Sequence, residues 1–359
     1  MQTATLKAEN TIRFSYSKTT LVLTILSILL IIVAIWAVGV GSLPISFRDV
    51  CAILAQEIGI GKANVEEQQQ VILTVIRLPR VLMGILVGAV LGMTGASMQG
   101  LFRNPLADPG LIGISSGASL FAVMMVVLEL KFFAGMPFVN GLYGMAIASF
   151  AGAALATLCV YQLSKLGGKV IVSTMLLAGI AVNAFAGAIT GFLTFIATDA
   201  QLRTIQFWSL GSLGGATWEA VKVAATLIAI PVLLVPRLSK ELNAFALGES
   251  QAEYLGIHAG RLKTKVILLT TLGVGASVAM CGTIGFIGLI IPHTIRLFGG
   301  ADHRLVLPAS GLLGATVLTL ADLISRTVMA PAEIPIGIVT ALIGTPVFVW
   351  ILMKNQSSI

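Results

Sequence analysis

Charged side chains in this sequence sit in the gaps between apolar runs of about 20 residues, and that alternation dictates the class of fold. A helix rises about 1.5 Å per residue, so such a run matches the ~30 Å hydrocarbon core of a bilayer. Hydrocarbon cannot hydrogen-bond a bare backbone N–H or C=O, so runs of this length cross it as helices. Only 10% of the 359 residues are charged and 57% are hydrophobic. A soluble domain holds roughly 25% charged residues and 45–50% apolar ones. The chain therefore reads as an all-α polytopic membrane protein, one transmembrane domain over 1–359.

The formal charge of +7 does not call for nucleic acid, because Lys and Arg collect in loops that stay cytoplasmic. Cys51, Cys159 and Cys281 are far apart and share no ligand spacing, and the three histidines are scattered. Neither a disulfide framework nor a metal site is expected, and no cofactor bound by this chain.

Hydropathy predicts ten crossings: 19–41, 71–101, 110–130, 138–163, 170–197, 217–236, 266–282, 284–298, 305–328 and 335–353. Residues 1–18 form a polar N-terminal tail carrying Lys7, Arg13 and Lys18. The apolar run after it exceeds the 7–15 residues of a signal peptide core, so it reads as a retained first helix. The stretch 199–215 is amphipathic and too polar to span; it predicts a short surface or re-entrant helix. Ten crossings place both termini on one side. With the termini cytoplasmic, 14 of the 22 Lys and Arg lie inside: Lys7, Arg13, Lys18, Arg103, Lys165, Lys169, Arg237, Lys240, Arg261, Lys263, Lys265, Arg296, Arg304 and Lys354. Eight lie outside: Arg48, Lys62, Arg77, Arg80, Lys131, Arg203, Lys222 and Arg326. That bias favours the arrangement.

Many of the 38 glycines fall inside helices, in strips at Val87–Gly100 and Gly273–Gly288. Small residues let helix backbones approach closely in lipid, and tight packing is the reading for most of them. The most polar internal loop, 237–265, reads as two short helices at 246–249 and 250–255, followed by Gly256. Its apolar residues Phe245, Leu247, Tyr254 and Leu255 need either a protein partner or lipid headgroups. Arg77 and Arg80 flank Pro79 at the outer start of the second helix, and Arg326 lies at the outer end of the ninth. Guanidinium groups pair bidentately with carboxylates, so these three suit an acidic partner; snorkelling to headgroups is the plain alternative.

No acidic residue falls clearly at mid-bilayer: Asp108, Glu129 and Asp322 lie toward helix ends. A proton-coupled secondary transporter generally needs such relays, so that class loses weight. There is also no G-x-x-x-x-G-K-[ST] phosphate loop and no catalytic triad or metal set, which argues against an enzyme.

Five strings occur in order: RLPR at 77–80, QGLFRNPLADPG at 99–110, ALGE at 246–249, GFIGLIIPH at 285–293 and EIPIG at 333–337. Together they resemble the permease subunits of bacterial importers for iron chelates, heme and cobalamin, from about residue 70 to the C-terminus. The resemblance implies a type II ATP-driven importer of the inner (cytoplasmic) membrane, with helices 2–5 and 7–10 as inverted repeats. It implies a homodimer of the permease in the lipid bilayer, two separate ATPase subunits holding ATP and Mg, and a periplasmic substrate-binding protein. Coupling to the ATPase would fall on the cytoplasmic loop 237–265, at Ala246, Leu247, Gly248, Glu249, Ala252, Leu255 and Gly256. Arg77, Arg80 and Arg326 would dock the binding protein. Asn104, Leu106, Ser173 and Thr174 would form the cytoplasmic gate, although capping by Asn, Ser and Thr explains the same residue types. The stretch 198–218 resembles heme-type members most, then ferric-siderophore and then cobalamin members.

Overall fold

The computed structural model describes residues 2–41, 43–57, 59–60, 65–128 and 142–356, with side chains except at 2–17, 142–143, 351–352 and 354–356. Lys62, Glu129, Lys131 and the expected start of a helix at 138 lie outside the described residues, as do the side chains of Lys7, Arg13 and Lys354.

Seven described stretches are long and apolar enough to cross a membrane, and three shorter apolar helices join them. They match the ten expected crossings in order. α1 (Gln2–Gly39) is one helix that runs back through the expected tail; no Gly or Pro interrupts residues 2–38, and its apolar span is Lys18–Gly39. α2 (Phe47–Glu57) is short and amphipathic.

The second crossing is a continuous 36-residue stretch, Glu67–Phe102, made of α3 (Glu67–Val71), a π-helical turn (Ile72–Arg77) and α4 (Leu78–Phe102). Pro79 lies just past the π turn. Leu78 N–H donates to the Leu73 carbonyl, five residues back. The Thr74 carbonyl would then need an N–H from residue 79, which proline lacks. The Trp218 indole Nε1–H supplies that bond instead, at 2.9 Å.

Gly113, at φ 85°, separates a 3₁₀ turn (Pro109–Ile112) from α5 (Ile114–Leu128), where the sequence predicted one helix from 110. α6 is Leu142–Leu163. A two-stranded hairpin follows, β1 (Lys165–Leu166) and β2 (Lys169–Val170), before α7 (Val172–Phe195). Its turn is Gly167-Gly168, both at positive φ, the dipeptide that a tight hairpin favours. α8 (Asp199–Ser209) is the expected short amphipathic helix, closed by a capping box between Thr198 and Gln201.

α9 (Trp218–Leu234) leads through a 3₁₀ turn to α10 (Ser239–Ala246) and α11 (Glu249–Tyr254). The two short helices exist, but the first begins at 239 and not at 246. Gly248, at φ 124°, makes the break between them. α12 (Ala259–Cys281) starts earlier than the predicted 266. α13 (Ile287–Gly299), α14 (His303–Thr327) and α15 (Ile336–Gln356) complete the bundle.

α4 is the central helix, packed on α14, α13, α12 and α9. Its glycine strip explains the closeness. A Cβ on Gly88, Gly92 or Gly95 would overlap the backbone of Gly314, Ser310 or Gly288. Some buried hydroxyls pair inside their own helices: Ser277 Oγ donates to the Gly273 carbonyl and Thr319 Oγ1 to the Ala315 carbonyl, both at 2.8 Å. Large apolar side chains instead face outward from α1 (Ile25, Ile28, Trp36) and α7 (Leu177, Phe185, Phe195), as a bilayer solvent permits.

Candidate functional site

α4 runs about 37 Å from end to end, and the sequence-predicted site residues divide between its two ends. Arg77 and Arg80 lie at its start, where α14 ends with Arg326. Asn104 follows its other end, beside the start of α14 and the α10–α11 segment.

The sequence anticipated three outward-presented arginines. The structure corrects their exposure: Arg77, Arg80 and Arg326 are 4%, 7% and 8% exposed. The reason lies in the C-terminus of α1, whose last carbonyls lack helical partners and carry negative partial charge. Arg77 Nη1 donates to Val38 O at 3.0 Å and Gly39 O at 2.7 Å, and Nη2 donates to Leu43 O. Arg326 Nη2 donates to Ala37 O. Gly41 leaves the room, since a Cβ there would come within 2.6 Å of Arg77 Nη2.

Arg80 takes the carboxylates. Its Nε lies 2.9 Å from Asp322 Oδ1, and its Nη1 lies 2.6 Å from Glu333 Oε1. Asp322 also faces Arg326 Nε at 3.5 Å, although that nitrogen makes no hydrogen bond. Arg80 and Arg326 therefore share Asp322, Arg80 also takes Glu333, and Arg77 is held by backbone carbonyls. Glu333 is the exposed member, with 43% of its side chain accessible. Asp322 as the partner of Arg80 was missed in the sequence; its four-residue spacing to Arg326 signals only that second pairing.

At the opposite end, α10 anchors the loop by burying Leu242 and Phe245. Phe245 is thus a core residue, not part of the exposed apolar face. Leu247, Tyr254 and Leu255 form that face, at 65%, 91% and 64% exposure. Ala246 and Gly256 are exposed with them, while Gly248 and Ala252 are buried and seat α11 on the bundle. Asn243 of α10 fixes the start of α14. Its Oδ1 accepts from His303 N–H at 2.9 Å and its Nδ2 donates to Asp302 Oδ1 at 2.6 Å.

Asn104 Oδ1 accepts from Leu106 N–H at 2.9 Å, closing a turn that leaves Leu106 44% exposed. Asp108 caps the following 3₁₀ turn through Gly110 N–H at 2.7 Å. Burial raises the Asp108 carboxyl above the ordinary carboxylate range, and the Gly110 bond offsets part of that. Ser173 and Thr174 lie in the first turn of α7, whose N-cap is Ile171, so neither is a capping residue. The two stretches are docked together: Asn183 Nδ2 of α7 donates to Gly110 O at 3.1 Å, and Gly179 presses on the Leu111 carbonyl.

Among the described residues no cluster of His, Cys, Asp and Glu could hold a metal ion.

The FecCD transport family matches residues 29–354. The hemin transport system permease protein HmuU of Yersinia pestis is 41% identical over 336 residues, 94% of this chain and 96% of its own length. The vitamin B12 import system permease protein BtuC of Salmonella paratyphi A is 41% identical over 281 residues, 78% of this chain and 83% of its own. An inward-facing metal-chelate type ABC transporter structure superposes with a TM-score of 0.80 at 31% identity, covering 92% of this chain and 98% of that chain. These relatives are transport permeases rather than enzymes. The chain belongs to the FecCD transport family and is a multi-pass permease of the ABC-importer type.

Proposed function

We propose that this chain is the membrane permease of an ATP-driven heme importer. The observation that carries the substrate is the length of the hemin relative's match, which takes in 94% of this chain against 78% for the vitamin B12 relative. Two copies enclose one pathway, with the termini and the α10–α11 face in the cytoplasm. Two ATPase subunits, holding ATP and Mg, grip that face through Leu247, Tyr254 and Leu255. Nucleotide binding closes the ATPases, and the motion passes through α10 and α11 to Asn104, Leu106, Ser173 and Thr174. The gate opens because the nucleotide-bound ATPase dimer favours one state of the permease over the other.

A periplasmic binding protein delivers substrate at the arginine end. The support is electrostatic: three guanidinium groups against two carboxylates leave a net positive charge at this end, which favours an acidic surface on the partner.

The test is reconstitution in vesicles with the cognate ATPase and binding protein, offering hemin, a ferric siderophore and cobalamin in separate arms. ATP-dependent uptake of hemin above the other two is expected. Preference for cobalamin or siderophore overturns the substrate, and uphill transport by the permease alone overturns the importer.

A further inference from the structure

At the α10–α11 end the β1–β2 hairpin and α11 face one another across a cavity of 570 Å³. Gly168, Lys169 and Val170 line one side and Glu249 and Glu253 the other. α11 does not pack extensively on β2 or α7, so the gap needs a bridge if motion is to cross it. Lys263 of α12 supplies one. Its Nζ donates to Val170 O at 2.7 Å and to Glu249 Oε1 at 2.6 Å. The ammonium is buried, with 3% of its side chain exposed, whereas Glu249 is 44% exposed. The Phe245 ring of α10 lies 6.0 Å from the ammonium. Val170 is two residues before the first residue of α7, and Ser173 and Thr174 follow at once.

We infer that Lys263 is a positioning residue that pins the ATPase-facing helix α11 to the hairpin at the start of α7, so that displacement of α11 moves the gate end of α7. The inference rests on the importer reading. A buried ammonium is costly to hold without partners, so it stays with both acceptors as they move. Nothing else spanning the cavity joins α11 to Val170 through polar bonds among the described residues. The neighbouring pair Lys265–Glu241 is a contrast: at 3.3 Å, with 52% of the lysine side chain exposed, it is a solvated contact that reaches no part of α7.

The experiment uses the whole complex in proteoliposomes and measures uptake and ATP hydrolysis in the same vesicles. Variants are Lys263→Met, Glu249→Gln and, as the contrast, Lys265→Met. Spin labels at exposed Ser250 of α11 and Leu177 of α7, both outside the docking face and the gate, report the α11–α7 distance with and without nucleotide. Lys263→Met is expected to lower uptake per ATP about tenfold or more, as for losing a hydrogen bond to a charged group, with the ATPase still co-purifying. Its nucleotide-driven distance change should disappear. Glu249→Gln should lie between it and wild type, and Lys265→Met should match wild type. Unchanged coupling in both Lys263→Met and Glu249→Gln overturns the inference. So does loss of ATPase co-purification in both, which would make the pair part of the docking surface only. A wild-type complex that binds no ATPase overturns the importer reading and this inference with it, whereas a coupled wild type with an unaffected Lys263→Met overturns the inference alone.

Discussion

Replacing Arg80 by alanine should be among the most damaging single changes at the arginine end, and the geometry sets its size. Arg80 and Asp322 are 8% and 3% exposed in their side chains, and their closest approach is 2.9 Å. With an effective dielectric of about 20, that distance corresponds to roughly 6 kcal/mol of gross attraction. Desolvation of both ions offsets most of it, so the pair itself contributes little. Removing one partner differs, because the other is left buried and charged at a cost of about 3–5 kcal/mol. The Glu333 contact adds at most about 1 kcal/mol, since that carboxylate is half-exposed. Arg326, 3.5 Å from Asp322, holds the residual charge only in part.

Arg80→Ala and Asp322→Ala should each lose about 3–4 kcal/mol, and the double variant little more than either one. The coupling energy in the cycle should reach about 2–3 kcal/mol. Reversible denaturant unfolding of the purified permease in mixed micelles measures all four proteins. A loss below about 1 kcal/mol for Arg80→Ala, or additive single losses, would refute the claim that the pair is desolvated.

Charge reversal at Arg77, Arg80 and Arg326 together should weaken docking of the binding protein by at least about tenfold at low salt; unchanged affinity by surface plasmon resonance removes them from that role. Leu247→Ser, Tyr254→Ser and Leu255→Ser combined should abolish the rise in ATP hydrolysis on assembly while leaving the permease folded, because all three side chains lie outside the bundle. Asp108 should make stability pH-dependent. Its folded-state pKa is raised by burial, so stability is greatest below the ordinary carboxylate pKa and falls as pH rises through the window up to the raised value. Asp108→Asn, which keeps an acceptor for Gly110 N–H, should flatten that slope in thermal unfolding at several pH values. Gly179→Val should force α7 off the Leu111 carbonyl and cost about 1–3 kcal/mol, seen as a lowered melting temperature.

Membrane insertion, helix order and family were legible in the linear chain because each rests on residues adjacent in sequence. A run such as 19–40 is apolar wherever it folds, and RLPR or ALGE is read without knowing its neighbours. The boundaries that went astray have local causes too. Gly167-Gly168 marked the hairpin, and Gly113 and Gly248 marked breaks, yet glycine is so common within these helices that its turn positions do not stand out.

What the tertiary structure alone decided is the company each polar residue keeps. Arg80 and Asp322 lie 242 positions apart, and only the antiparallel packing of α4 on α14 brings them together. The orphan carbonyls at the end of α1 turn Arg77 and Arg326 inward, although their positions in the sequence read as outward-facing. Lys263, one of several loop lysines in the sequence, becomes a buried bridge because α11 and the hairpin close over it. Hydropathy is a property of the residue and survives in one dimension. Burial and charge pairing are properties of contacts, and contacts exist only once helices distant in sequence have packed.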